Sequence, residues 1–140
     1  MTVSPSISSE TRDRLIAAAC EARLKAYAPY SKFAVGAAIL AEDGRFYTGV
    51  NVENASYGLT VCAERTAVGT MIADGRQQIT AVAVCTENGV TPCGACRQVL
   101  SEFVPLAADI PVYIINAQGQ VRETTLKTLL PDDFGPRHLG

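Results

Sequence analysis

The chain has 140 residues, 48% of them hydrophobic, and a formal charge of −2. A single domain over residues 1–140 is expected at that length, and the acidic balance argues against dense phosphate binding, which needs a basic face. No apolar run is long enough to cross a bilayer, and the opening MTVSPSISSE lacks the charged and apolar segments of a secretory signal, so a cytoplasmic address is expected.

The elements read as follows. Leu15, Ile16, Ala19, Cys20, Arg23, Leu24 and Tyr27 form a mostly apolar stripe on a helix over about residues 9–27, stopped by Pro29. Two strands follow, about 35–41 and 45–50, with Asp43-Gly44 between them as a hairpin signal. A second helix starts near Cys62; Ala63, Ala67, Val68, Met71 and Ile72 form its buried stripe and Gly75 suits its C-terminal cap. Residues 79–85 read as a buried strand, and the loop from Glu87 to Pro92 leads to a third helix over about 93–103. A strand at 112–115 joins one at 121–124 through a turn at Gln118-Gly119, and a short helix over 125–130 ends at Pro131. There is no internal repeat and no low-complexity segment.

Two strand–helix–strand passages place parallel strands with helices packed on the sheet, which makes the fold class α/β. Both later helices then start at one edge of the sheet, where ligands gather in open α/β folds. Their N-termini favour thiolate over thiol. That topology brings Cys62, Cys93 and Cys96 together.

Five cysteines in a chain of this kind point to metal or buried thiols before disulfides, and the odd count weakens a disulfide framework further. Two stretches stand out: Cys62-Ala63-Glu64-Arg65 and Pro92-Cys93-Gly94-Ala95-Cys96. Three thiolates can hold zinc and leave its fourth tetrahedral position open. A nearby carboxylate that is not a ligand can carry protons. C-x-E with P-C-x-x-C is the general pattern of zinc-dependent nucleobase deaminases.

Plainer readings exist for each residue. A C-x-x-C pair also serves as a redox couple or as half of a structural zinc site. A redox couple does not require the distant Cys-x-Glu. A structural site wants a fourth ligand, and the nearest thiol, Cys85, ends an apolar strand where cysteine commonly packs; Cys20 on its helix stripe reads the same way. Glu64 alone would be a first-turn acid complementing the helix dipole, but two residues after a ligand-type cysteine it can lean over the open face of the metal. Arg65 is either a solvated charge or a donor to the sulfurs, drawing negative charge from a three-thiolate centre.

The chain resembles the small homotetrameric cytidine deaminases of nucleoside salvage over about residues 30–134. Besides both zinc motifs, the similarity lies in Tyr30-Ser31-Lys32-Phe33, the run from Thr48 to Ala55, Arg97-Gln98 and Leu129-Leu130-Pro131. All three metal positions are cysteine, as in the tetrameric branch; the lone histidine, His138, lies in the tail. The resemblance implies a three-layer α-β-α sandwich with a mixed five-stranded sheet. It implies hydrolytic deamination of cytidine and deoxycytidine to uridine and deoxyuridine plus ammonia. One zinc ion per chain would sit on Cys62, Cys93 and Cys96, with Glu64 as proton carrier. Asn51 and Glu53 would hold the ribose hydroxyls, Phe33 would pack on the pyrimidine, and the Ala63 main chain would read the base edge.

Phe134 matches an aromatic that enters a neighbouring subunit's pocket in the family, although Asp132-Asp133 beside it departs from the usual composition. The implied partner is a small nucleoside, with neither a nucleic-acid polymer nor a membrane involved. A related deaminase of nucleoside antibiotics such as blasticidin S shares both motifs, but Asn51-Val52-Glu53-Asn54 favours a plain ribose. Polynucleotide editors place a helix between parallel final strands, where the Gln118-Gly119 hairpin makes this pair antiparallel. A structural zinc or interaction module is the reading from a different class.

Overall fold

The structure is a computed structural model that describes residues 7–139. Helix α1 (Ser9–Arg23) starts where the Ser8 side chain accepts from the Thr11 N–H, relieving one of the free donors of its first turn. Strands β1 (Gly36–Ala41), β2 (Phe46–Val50), β3 (Ile79–Cys85), β4 (Pro111–Ile115) and β5 (Val121–Thr125) form one mixed sheet in the order β2-β1-β3-β4-β5. Helices α2 (Ala63–Ala73), α3 (Gly94–Glu102) and the one-turn α4 (Leu126–Leu129) complete the set. No described helix is long and apolar enough to cross a membrane.

Both strand–helix–strand passages link strands that run the same way. β3 pairs directly with β4 in parallel. β2 and β3 flank β1 and are each antiparallel to it, so they share a direction with β1 between them. β4 and β5 form the expected antiparallel hairpin, with Ile115 opposite Val121. The layers are also as expected. On one face Leu15 and Ala19 of α1 pack on Ala38, Leu40, Ala81 and Ala83. On the other, Ala67, Val68 and Met71 of α2 and Leu100 of α3 cover Ile39, Val82, Val84 and Val112. Strands covered on both faces read as continuous apolar runs, and β1 and β4 are buried along their whole length.

Two expectations need correction. α1 ends at Arg23, not Tyr27. The Tyr27 N–H donates to the Asn51 carbonyl at 3.0 Å and its own carbonyl accepts from Glu53 at 2.9 Å, so backbone pairing with a distant segment outcompetes one more helical turn. Leu24 is consequently 81% exposed. Ile72, assigned to the buried stripe of α2, is 39% exposed, whereas Glu64 is buried at 4%. The buried face of α2 is therefore rotated toward its charged N-terminal residue. At its other end α2 is tied to the β1–β2 hairpin: Arg76 Nε donates to Asp43 at 2.7 Å, and the Tyr47 hydroxyl donates to Asp74 at 2.5 Å.

The heights of α1 and α2 above the sheet are set by missing side chains. A methyl group at Gly36 would lie 2.2 Å from the Ala19 carbonyl oxygen, and one at Gly49 would lie 2.3 Å from the Ala63 oxygen and 2.5 Å from the Ala67 nitrogen. The first turn of α2 thus rests on bare β2 backbone. Gly49→Ala must lift that turn, and overpacking of this kind costs about 1–3 kcal/mol. The expected result is a lower denaturant midpoint at unchanged slope; an unaltered midpoint would show that the helix rides up without cost.

Candidate active site

Cys62 and Cys93 occupy the N-cap positions of α2 and α3, and neither makes a side-chain capping bond. A serine or aspartate would be the stabilising choice there; a thiol instead leaves its sulfur facing the free N–H groups and positive end of the helix. Cys96 follows in the first turn of α3 and is buried. The three sulfurs lie within 4.8 Å of one another, and no other such cluster of ligating side chains occurs among the described residues. A tetrahedral zinc with bonds of about 2.3 Å spaces its sulfurs by about 3.8 Å. The cluster, with Cys93 and Cys96 at 3.4 Å, fits that ion with small adjustments and leaves one position open.

The charges around the cluster match a thiolate centre. The Cys62 thiol falls to about 5, chiefly through a hydrogen bond from Cys96 and then through Arg65, against the opposing effect of burial. Cys96 is pushed up by the same pairing and by its burial, so the pair holds its first negative charge on Cys62. Arg65 Nη2 points at Cys62 Sγ from 3.6 Å. Its Nε is buried without a hydrogen-bond partner, a cost that a nearby thiolate charge offsets. Cys85 is different: burial pushes its thiol up to about 12, as suits a packing residue on β3.

Glu64 shares a cleft of about 310 Å³ with the three cysteines. Burial pushes its carboxyl above the ordinary range, and the Cys62 charge adds to this, while its own backbone N–H, Cys96 and Arg65 oppose. A carboxyl moved toward neutrality is suited to both accepting and returning a proton.

Phe33, Asn51, Glu53 and Ala63 line the same cleft. Asn51 is buried; its Oδ1 accepts from the Val35 N–H at 2.9 Å and its Nδ2 donates to the Phe33 carbonyl at 2.8 Å. Glu53 accepts from the N–H groups of Tyr30 and Ser31 and from the Ser31 hydroxyl, which holds its carboxyl below the ordinary range. The two side chains therefore clamp the turn that carries Phe33, in which Lys32 adopts the left-handed value φ = 61°, an uncommon backbone for a residue with a side chain. Each of the two still has an acceptor lone pair free for a ligand.

Phe134 does not join this cleft. It is 57% exposed and stacks on His138 with ring centroids 5.2 Å apart, and His138 Nδ1 accepts from the Gly135 N–H, far from any metal role. A larger hollow of about 410 Å³ beside Leu106 and Pro136 contains none of the expected site residues. Ser31 and Thr86 are among the cleft residues that escaped the sequence reading. Ser31 anchors Glu53, a contact with no sequence periodicity. Thr86, buried directly after β3, accepts from the Gly89 and Val90 N–H groups; its place at the carboxyl end of a strand was the available signal.

A cysteine-lined metal cluster with a buried carboxylate, at the carboxyl ends of parallel strands, is the layout of a metal-dependent hydrolytic enzyme. Residues 9–110 match the family model for the cytidine and deoxycytidylate deaminase zinc-binding region. The chain is 50% identical over 129 residues to a cytidine deaminase of Sporosarcina psychrophila, covering 91% of this chain and 93% of the relative. It is 52% identical over 125 residues to one of Halalkalibacterium halodurans, at 88% and 93% coverage. The crystal structure of a cytidine deaminase from Burkholderia pseudomallei superposes with a TM-score of 0.82 at 48% identity, covering 91% of this chain and 100% of that one. The chain belongs to the cytidine deaminase family, and its cofactor is zinc.

Cys93→Ala is expected to lose zinc and stability together, because metal binding is coupled to folding when ligands come from separate elements. Cys85→Ser should keep full zinc occupancy. Elemental analysis reads both; a zinc-replete Cys93→Ala protein would show the ligand set to be wrong.

Proposed function

We propose that this chain removes the exocyclic amine of cytidine and deoxycytidine by hydrolysis, giving uridine or deoxyuridine and ammonia. The activity would serve pyrimidine salvage in the cytoplasm, with residues 1–140 acting as one domain; residues 1–6 and 140 lie outside the described structure. The observation that carries the reading is the buried Glu64 carboxyl in one cleft with the three-sulfur cluster.

In this reading Cys62, Cys93 and Cys96 hold one zinc ion, and Arg65 tempers the negative charge of the sulfurs. Zinc bound there would supply Lewis acidity, lowering the pKa of water toward about 7. Glu64 takes a proton from the attacking water and delivers it to ring atom N3 while a C–O bond forms at C4. The regenerated carboxylate then takes the proton of the new C4 hydroxyl and passes it to the amine, so that the C4–N bond breaks as the C4=O bond forms. Phe33 packs on the ring, the Ala63 main chain meets the base edge, and Asn51 and Glu53 accept from ribose hydroxyls while holding the Phe33 turn.

The proposed assembly is a homotetramer. Tyr27, Tyr30, Val52, Tyr57, Leu59 and Val61 are each at least 39% exposed; Tyr30 and Tyr57 line the hollow that shares Ser31, Glu53 and Thr60 with the cleft, and backbone bridges join Tyr27, Val52 and Val61. Apolar surface gathered in this way supports coverage by another chain. Exposed Phe134 is then available to a neighbour's pocket.

Glu64→Gln should keep zinc and fold yet lose at least the roughly 10²–10⁴-fold in turnover typical of one acid–base group. Ultraviolet monitoring of cytidine consumption reads this, and turnover near the wild-type rate would remove Glu64 from the role. Phe134→Ala should raise KM without altering zinc content, and light scattering should show four chains per particle. A fully active monomer would refute both the assembly and the shared pocket.

A further inference from the structure

The three cysteines are not equally well supported. Cys62 enters α2 directly after Val61, whose backbone is paired with Val52: the N–H groups of Val52 and Val61 donate to each other's carbonyls at 2.9 and 3.0 Å. Cys96 lies within α3 and is buried. Cys93 is exposed and sits at the end of the loop that follows β3. The near half of that loop is fixed by Thr86, which takes the N–H groups of Gly89 and Val90. Beyond Val90 that support stops.

Arg97 takes over at that point. Its Nη2 donates to Thr91 Oγ1 at 2.9 Å and its Nε to the Pro92 carbonyl at 2.8 Å. Among the described residues these are the only hydrogen bonds made by Thr91 or Pro92. Its backbone N–H donates to the Cys93 carbonyl at 3.0 Å, the ordinary first-turn bond of α3, so the side chain holds the two positions that lead directly into the cysteine. The third guanidinium nitrogen, Nη1, reaches the Leu129 carbonyl at 2.7 Å. The next residue, Gln98, donates to the Phe134 carbonyl at 2.9 Å. No ion pair among the described residues includes Arg97. The full guanidinium is committed to neutral oxygens of separate segments, a geometry that its planar fork suits and a lysine cannot reproduce.

We propose that Arg97 is a positioning residue for zinc: it holds Cys93 where its sulfur can close the three-cysteine centre, and it ties the C-terminal segment at Leu129 to that centre. A loop ordered before the metal arrives spares the ordering cost on binding, and residues that orient metal ligands commonly contribute 10–100-fold to affinity. The inference rests on Cys62, Cys93 and Cys96 being the ligands. Zinc retention by Cys93→Ala would sink that reading by itself, separately from any result on Arg97.

The test measures the rate at which zinc passes from the loaded protein to a chromophoric chelator, well below the melting temperature, and the visible spectrum of the cobalt-substituted protein. Arg97→Gln is expected to release zinc about 10–100-fold faster and to weaken the cobalt bands of tetrahedral sulfur coordination. Arg97→Lys, able to meet one acceptor in place of three, should fall between Gln and wild type. Arg76→Gln is the control: it breaks a guanidinium network remote from the cysteines and should lower the melting temperature without changing release or spectrum. Release at the wild-type rate with an unchanged cobalt spectrum in Arg97→Gln would overturn the proposal, whatever its melting temperature. If Arg97→Gln does not fold, Thr91→Val and Arg97→Lys carry the same expectation at smaller size, and wild-type behaviour in both would overturn it equally.

Discussion

Placing three thiol sulfurs within 4.8 Å of one another concentrates negative charge at one point, and much of the molecule answers that demand. Two helices end there with their positive termini, and at both N-caps the usual capping side chain is replaced by a thiol. Arg65 buries part of its guanidinium beside Cys62 and leaves its Nε without a partner. That arrangement is unfavourable in a neutral surrounding and favourable next to a thiolate. The low value of Cys62, about 5, follows from its hydrogen bond with Cys96 and then from Arg65. Proton and metal compete for the same sulfur, so a thiol that gives up its proton easily is also a thiol that binds metal near neutrality.

The sheet supplies the rigidity that this charge requires. β2 and β3 run in the same direction on either side of β1, which places the starts of α2 and α3 at one edge. The two helices pack side by side on one face, while α1 closes the other. Close contact between the α2 backbone and Gly49 keeps the first turn of that helix, with Ala63 and Glu64, low over the strands. Burial of Glu64 is a consequence of that closeness, and the upward shift of its carboxyl is a consequence of burial. A chain of packing contacts thus ends in an acid–base property.

Across the cleft the working parts hold one another. Asn51 and Glu53 spend part of their hydrogen-bonding capacity on the backbone of residues 30–35, fixing a turn in which Lys32 has positive φ. The residues proposed for the sugar are therefore also those that present Phe33, the residue proposed to pack on the ring. In that reading binding and preorganisation share the same atoms, which limits how freely either position can change.

Much of this was legible in the chain itself. The strand boundaries, both hairpins and the three later helices followed from local signals: apolar periodicity, Asp43-Gly44, Gln118-Gly119 and Gly75. Their order implied parallel strands and a shared sheet edge, and the spacing of Cys62, Glu64, Cys93 and Cys96 named the metal cluster and the carboxyl beside it. These features depend on neighbours a few residues apart, so one-dimensional spacing records them. The end of α1, the inward turn of Glu64, the clamp on Phe33 and the grip of Arg97 on Thr91, Pro92 and Leu129 depend on contacts between segments up to 32 residues apart. Residue type gives only part of the warning: Pro29 bars a helix that runs past Ala28, but nothing local says that the Tyr27 backbone pairs with Asn51 and Glu53, because the fold carries them past it. Local propensity amounts to tenths of a kcal/mol per residue, and a pair of tertiary hydrogen bonds is enough to override it.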